Sequence, residues 1–248
     1  MTLPERVRYE IIDWTRFLIG AGAVYLTFTT AAFAQFHIPS ESMQPTLEVG
    51  DRVIVSKFAY GWSRHSLPLG LGDRLPAREG RFLGGGPERG DVVVFRHPVR
   101  PEHVIKRVVG LPGDVVEVRQ GRVYLNGAPA EMEPLGEEVR RDRFGQITDY
   151  ARFFETLPGD DPHWVYDAGY GRHPYENLAP YTVPEGRVFL MGDNRDNSVD
   201  SRALASLGPV PIERLVGKAQ IVVASFHQCS TRSGVDCPGL FDRLWRPL

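Results

Sequence analysis

Apolar and polar positions follow two different rhythms along the chain. From Phe17 to Phe36 the sequence FLIGAGAVYLTFTTAAFAQF contains no charged residue. At 1.5 Å of rise per residue, about 20 helical residues reach roughly the 30 Å of a hydrocarbon core, so the run predicts one membrane-spanning helix. Beyond it come short β-branched runs broken by turn residues, the pattern of antiparallel strands. The clearest are DRVIVSKF at 51–58, DVVVFRH at 91–97, HVIKRVVG at 103–110, DVVEVRQ at 114–120, RVYLNG at 122–127, RVFLMGD at 187–193 and KAQIVVASF at 218–226. Gly110-Leu111-Pro112-Gly113-Asp114 has Pro and Gly where a type II turn needs them and is expected to close a hairpin, while Gln120-Gly121 and Asn126-Gly127 read as tight turns. After the span, the longest helical pattern is a modest one around 203–215.

The expected fold class is mainly β: an antiparallel β-sheet core with a variable second lobe, preceded by a single N-terminal transmembrane helix. Residues 62–88, rich in Gly, Pro and Arg, read as a loop insertion, and 128–184 mix charge, aromatics and Pro as the second lobe. Arg6, Arg8 and Arg16 precede the apolar run and the next cation is Arg52. The positive-inside rule therefore puts residues 1–16 in the cytoplasm, 17–36 in the bilayer and 37–248 outside. Two other readings of the run stand: a buried helix of a soluble protein, or a removable export signal, since Ala32-Phe33-Ala34 has the A-x-A form of a cleavage site.

Composition narrows the partners. A formal charge of -2 over 248 residues offers no basic field, so nucleic acid is not an expected partner. Cys229 and Cys237 show no CxxC spacing and suggest no structural zinc. Outside the cytoplasm they are able to form a short-loop disulfide; two free thiols are the alternative.

Three segments carry candidate chemistry. Phe36 to Leu47 holds Ser40 and Ser42 between Pro39 and Pro45, whose fixed φ argues for a constrained loop just past the span. By themselves these are ordinary loop hydroxyls. In HVIKRVV a lysine interrupts a strand pattern: alternation puts Lys106 with Val104 and Val108, and Arg107 with Ile105 and Val109, so one cation must face apolar side chains. The plain reading is an edge strand whose cations snorkel. The functional one is a desolvated lysine, neutral enough to take a proton from a serine. Gly192 to Arg202, GDNRDNSVDSR, lacks the ligand spacing of an EF-hand and reads as a self-satisfying polar turn or as a loop that orients a catalytic amine. HExxH, GxSxG and P-loop patterns are absent.

Together the three segments resemble the bacterial type I signal peptidase, or leader peptidase, family. Its nucleophile box, Ser-x-Ser-Met-x-Pro-Thr-Leu, stands at Ser40–Leu47; its general-base box at Lys106–Asp114; its Gly-Asp-Asn-x-x-x-Ser-x-Asp-Ser-Arg box at Gly192–Arg202. The likeness extends to 50–61 and 89–98 but not to 62–88 or most of 128–184. Val104 stands where many members have Tyr, and one span is evident where some have two. The resemblance implies a membrane-bound serine endopeptidase of the bacterial inner membrane that removes signal peptides from secretory preproteins. Ser42 is then the nucleophile, Lys106 the general base and Ser40 an oxyanion donor. Ser198 would hydrogen-bond and orient Lys106, and Asp200 and Arg202 would brace the site. Phe36, Ile38, Met43, Leu47 and Ile105 match positions bordering shallow pockets for small side chains, as A-x-A substrates require. No metal or organic cofactor is implied. Rival readings are a conjugation or pilus peptidase of the same family, a self-cleaving repressor, and a membrane-tethered β module that binds without cutting.

Retention of the span is testable directly. N-terminal sequencing of membrane-extracted protein should give a start at or near Met1, and a start at Gln35 would show that the run is removed.

Overall fold

The computed structural model describes residues 5–61, 84–141, 146–169, 171, 173–226 and 243–248. Residues 62–83 of the expected loop insertion 62–88, and both cysteines, lie outside them. The apolar run does not form one element. A helix, α1, covers Glu5–Ala31, and Phe33–His37 forms strand β1, so the last part of the expected span is sheet. Among the described residues no helix is long and apolar enough to cross a membrane. Trp14, Phe17, Leu18, Ile19, Val24 and Tyr25 are nevertheless exposed along α1.

The core is a twisted antiparallel sheet. Its strands are β1, β2 (Asp51–Ser56), β3 (Val92–Arg96), β4 (His103–Gly110), β12 (Arg187–Met191), β13 (Val210–Pro211), β14 (Leu215–Ser225) and β15 (Arg246–Pro247). The order is β1-β2-β14-β3-β4-β12-β13, with β15 also on β14. β3 shows why a continuous valine run suits a central strand: Val92 and Val94 enter one apolar cluster with Ile38, Met43 and Leu47, while Val93 and Phe95 enter a second with Val108, Leu190 and Val210. A third cluster joins β4 and β12 to a four-stranded sheet of β11 (Leu178–Thr182), β5 (Val115–Arg119), β6 (Arg122–Leu125) and β7 (Ala128–Pro129).

The 110–114 turn forms as the sequence suggests, with Asp114 N donating to Leu111 O at 3.0 Å and Gly113 at φ 87°. It does not close a hairpin. β4 pairs with β3 and β12, whereas β5 pairs with β6 and β11, so the turn carries the chain between sheets. Gly110 permits that crossing, because a Cβ there would collide with Val116 and crowd Phe189 and Val183. Gln120-Gly121 and Asn126-Gly127 do make two-residue hairpins, with all four residues at positive φ.

Two expectations change. The segment 203–215 forms turns, the short strand β13, one 3-10 turn at Ile212–Arg214 and the first residue of β14, since Pro209, Pro211 and the left-handed Gly208 deny it a helical ladder. The stretch 128–184 divides between sheets. β7 and β11 belong to the four-stranded sheet, and only β8 (Glu131–Arg141), β9 (Ile147–Thr156) and β10 (His163–Asp167) form a separate lobe. Pro134 and Gly136 bracket a register shift that hides β8 from a period-two reading.

The loop between β1 and β2 is pinned by its own apolar side chains. Met43 and Leu47 are fully buried and Ile38 nearly so. Burial of one such side chain contributes roughly 1.5–3 kcal/mol. Leu47→Ala should lower the free energy of urea unfolding by about 2–5 kcal/mol, and a loss below about 1 kcal/mol would show that the loop is not held by this contact.

Candidate active site

Ser42 sits on that loop, whose neck is closed by Ile38 N donating to Asp51 O and Gly50 N to Ile38 O, both at 2.9 Å. Lys106 lies on β4 opposite Val93 of β3, inside the sheet, so the edge-strand reading of this segment fails. Its Nζ is 2.5 Å from Ser42 Oγ and donates to Ile105 O at 2.9 Å. Lys106 is 2% exposed and Ser42 9%. Ser40 is exposed, its Oγ 3.3 Å from Ser42 Oγ. Two segments distant in sequence thus place an amine on a hydroxyl.

Burial lowers the Lys106 pKa from 10.5 to about 8. Asp200 and Asp193 oppose the shift and Arg202 assists it. Each carboxylate is held by an arginine and not by the lysine. Arg107 Nε and Nη2 donate to Asp193 at 2.8 and 2.7 Å, and Arg202 Nε and Nη2 donate to Asp200, both at 2.9 Å. Burial alone would raise both carboxyls, but these guanidiniums hold them below their ordinary pKa. Asp200 also accepts from Gly192 N at 3.0 Å, so the 192–202 loop closes on itself.

That loop touches the Ser42 segment directly: Asn194 N donates to Ser42 O at 3.2 Å. Gly192 makes the approach possible, because a Cβ at that position would collide with the Ser198 side chain and the Ser42 carbonyl. Ser198 is buried beside the pair, yet its Oγ makes no hydrogen bond of ordinary geometry. The expected bond to Lys106 is absent, because the amine's two contacts are Ser42 and Ile105. Of the expected pocket residues, Phe36 is half-buried against His103, with rings 5.2 Å apart, and Ile105 is 7% exposed. Ile38, Met43 and Leu47 present almost no surface and form core beneath the loop.

Sequence reasoning missed three buried ion pairs around the site. Arg107–Asp193 was half visible, since Arg107 was one of two cations in an apolar strand. Glu155 of β9, which accepts from Arg195, and Glu48, which accepts from Arg140 of β8 at 2.5 Å, gave no signal, because their partners lie 40 and 92 residues away. Among the described residues no group of three or more His, Cys, Asp or Glu side chains is placed to hold a metal ion.

A serine hydroxyl in contact with a buried amine whose pKa is lowered to about 8 is an arrangement that a serine hydrolase with lysine in the place of histidine can use. Comparison with known proteins narrows the class. Residues 11–224 match the family model described as signal peptidase, peptidase S26. Signal peptidase I of Rickettsia typhi is 37% identical over 224 residues, covering 88% of this chain and 80% of that protein. Signal peptidase I of Pseudomonas aeruginosa is 42% identical over 201 residues, covering 77% of this chain and 64% of that protein. A crystal structure of a signal peptidase I from Enterococcus faecalis, 27% identical, covers 54% of this chain and 97% of its own with a TM-score of 0.32, too low to bear on the fold. The chain belongs to the signal peptidase, peptidase S26, family of serine proteases.

The lowered Lys106 pKa has a stability consequence with a definite sign. Below about pH 8 the amine is protonated in both folded and unfolded chains, and the fold carries the whole cost of burying the charge. A displacement from 10.5 to about 8 corresponds to about 3 kcal/mol, fading to nothing as pH rises from about 8 to 10.5. Lys106→Met should therefore be more stable than wild type at pH 6, by a margin that shrinks toward pH 10.5. Unfolding free energies of the two proteins at both pH values check this; a margin independent of pH would refute it.

Proposed function

We propose that the chain is a membrane-bound endopeptidase that removes N-terminal signal peptides from exported preproteins at A-x-A-type sites, with Ser42 as nucleophile and Lys106 as general base. The observation that carries the reading is the 2.5 Å contact between Lys106 Nζ and Ser42 Oγ at a buried site. Neutral Lys106 takes the Ser42 proton as Oγ attacks the scissile carbonyl. The oxyanion accepts hydrogen bonds from Ser40 Oγ and Ser42 N–H, and the lysine ammonium returns its proton to the departing amine. Water, activated by the same amine, then releases the acyl group from Ser42.

An extended substrate has backbone groups to meet. β12 pairs with β4 at Arg107, Val108 and Gly110, and among the described residues no strand pairs with Val104 and Ile105 on that side. A peptide added there as a strand would run past Ser42. Phe36 and Ile105 are the side chains it meets first, with Ile38, Met43 and Leu47 as the floor that keeps the groove shallow. A shallow groove admits Ala and excludes larger side chains. Ser198, Asp200 and Arg202 support Lys106 from behind.

The exposed apolar side chains of α1 call for an apolar surrounding, and the lipid bilayer supplies it. In this reading the protein belongs to the bacterial inner membrane, with a cytoplasmic N-terminus and the catalytic domain on the extracytoplasmic side. Its partners are secretory preproteins and lipid, with no cofactor and no nucleic acid.

Incubation of the detergent-solubilised full chain with an A-x-A preprotein tests the mechanism. Ser42→Ala should be inactive, while Ser40→Ala should lose about 10²–10³ in kcat and keep a measurable remnant. Wild-type activity should rise with pH through about 8, as Lys106 loses its proton. An active Ser42→Ala overturns the mechanism.

A further inference from the structure

The three-stranded lobe β8–β10 is bonded to the two loops that meet at Ser42, the one that carries it and the 192–202 loop. On the nucleophile side, Arg140 of β8 donates to Glu48 at 2.5 Å, and Gln44 Nε2 donates to the same carboxylate at 2.6 Å, within the loop that carries Ser42. On the other side, Glu155 of β9 is fully buried and accepts both Nη atoms of Arg195, Nη1 at 2.7 Å. His163 Nε2 of β10 lies 3.2 Å from the same carboxylate. The backbone repeats the connection: Tyr166 N donates to Asp193 O and Arg195 N to Tyr166 O, both at 2.9 Å.

What Arg195 holds is the loop that touches the site. Its Nε donates to Gly192 O at 3.2 Å, and its carbonyl accepts Arg202 Nη2 at 2.6 Å. Arg202 grips Asp200, and Asn194, next to Arg195, donates its N–H to Ser42 O. From Glu155 to the nucleophile is therefore an unbroken series of buried, directional contacts. Neither Glu155 nor Arg140 bonds to Ser42 or Lys106.

Resting on the peptidase reading above, we propose that the β8–β10 lobe positions the Ser42/Lys106 pair for reaction, with Glu155 and Arg140 as its positioning residues. A buried bidentate carboxylate fixes a guanidinium in distance and direction together, as a single lysine contact does not. The required accuracy is high, because a displacement of about 1 Å at a reacting group can cost on the order of 100-fold in rate. Glu155 has a second effect, through charge. The charged groups that act on Lys106 are Asp200, Asp193 and Arg202. Neutralising Glu155 loosens the loop that holds Arg202 and Asp200, whose charge favours the ammonium, and so lowers the pH at which Lys106 loses its proton.

The test is steady-state cleavage of an A-x-A preprotein by full-length wild type, Ser42→Ala, Glu155→Gln and Arg140→Gln in detergent, with a pH profile and a thermal melt for each. Glu155→Gln should lose about 10–100-fold in kcat with KM within about twofold, and its acid limb should move to lower pH. Arg140→Gln, at the less deeply buried contact, should lower kcat without abolishing the melt. Unchanged kcat in folded Glu155→Gln, or a rise in KM alone, would overturn the proposal. If Glu155→Gln does not fold, a folded Arg140→Gln with wild-type kcat overturns it instead. A wild type that cleaves no preprotein would overturn the peptidase reading itself, whereas equal activity in wild type and both lobe variants overturns only the positioning role.

Discussion

A lysine amine removed from water is the constraint around which the site is arranged. Desolvation lets Lys106 lose its proton at accessible pH, but a carboxylate paired directly to it would undo the effect by favouring the ammonium. Two carboxylates are nevertheless close, and each is committed to an arginine: Asp193 to Arg107 and Asp200 to Arg202. They temper the lysine's surroundings from a distance without capturing its proton. Arg107, the residue next to the lysine, thus removes one of the competitors for it.

Such an arrangement needs three segments far apart in sequence to meet within a few ångströms, and the antiparallel sheet brings them there. β4 contributes Lys106 and Arg107 in consecutive positions, the β1–β2 loop contributes Ser42, and the chain leaving β12 contributes 192–202. Two glycines serve this meeting. Gly110 lets β4 hand the chain to the second sheet, and Gly192 lets the polar loop lie against the serine. Both positions exclude even an alanine for reasons of space.

Strands with period-two or valine-rich patterns were legible in the sequence to within a few residues, as were the two I′-type hairpins. β1 was not, because FAQF continues an apolar run and nothing in its composition marks where helix gives way to sheet. β8 was hidden by its internal Pro and Gly. At the site, Lys106 stood out because it interrupts a strand pattern, whereas Ser42, an ordinary loop hydroxyl by itself, stood out only through its place in a Ser-x-Ser-Met-x-Pro-Thr-Leu box. The Ser198 hydroxyl, which makes no hydrogen bond of ordinary geometry, shows that a side-chain rotamer leaves no trace in sequence. Glu155 and Glu48 were invisible for a related reason: a carboxylate in a charged stretch looks solvated until the fold brings an arginine to it from a remote strand.

Ala32-Phe33-Ala34 is the type of sequence that the proposed reaction consumes, and secondary structure withholds it. Ala34 and Gln35 stand opposite Val55 and Ile54, in the middle of a strand paired with β2 along its whole length. A peptide engaged with a partner strand cannot at the same time be threaded through a second molecule's groove. Digestion by a neighbouring copy must wait until β1 frays, so its rate is tied to the population of that opened state. On the proposed reading, self-digestion at this sequence is limited by how firmly one five-residue strand is held.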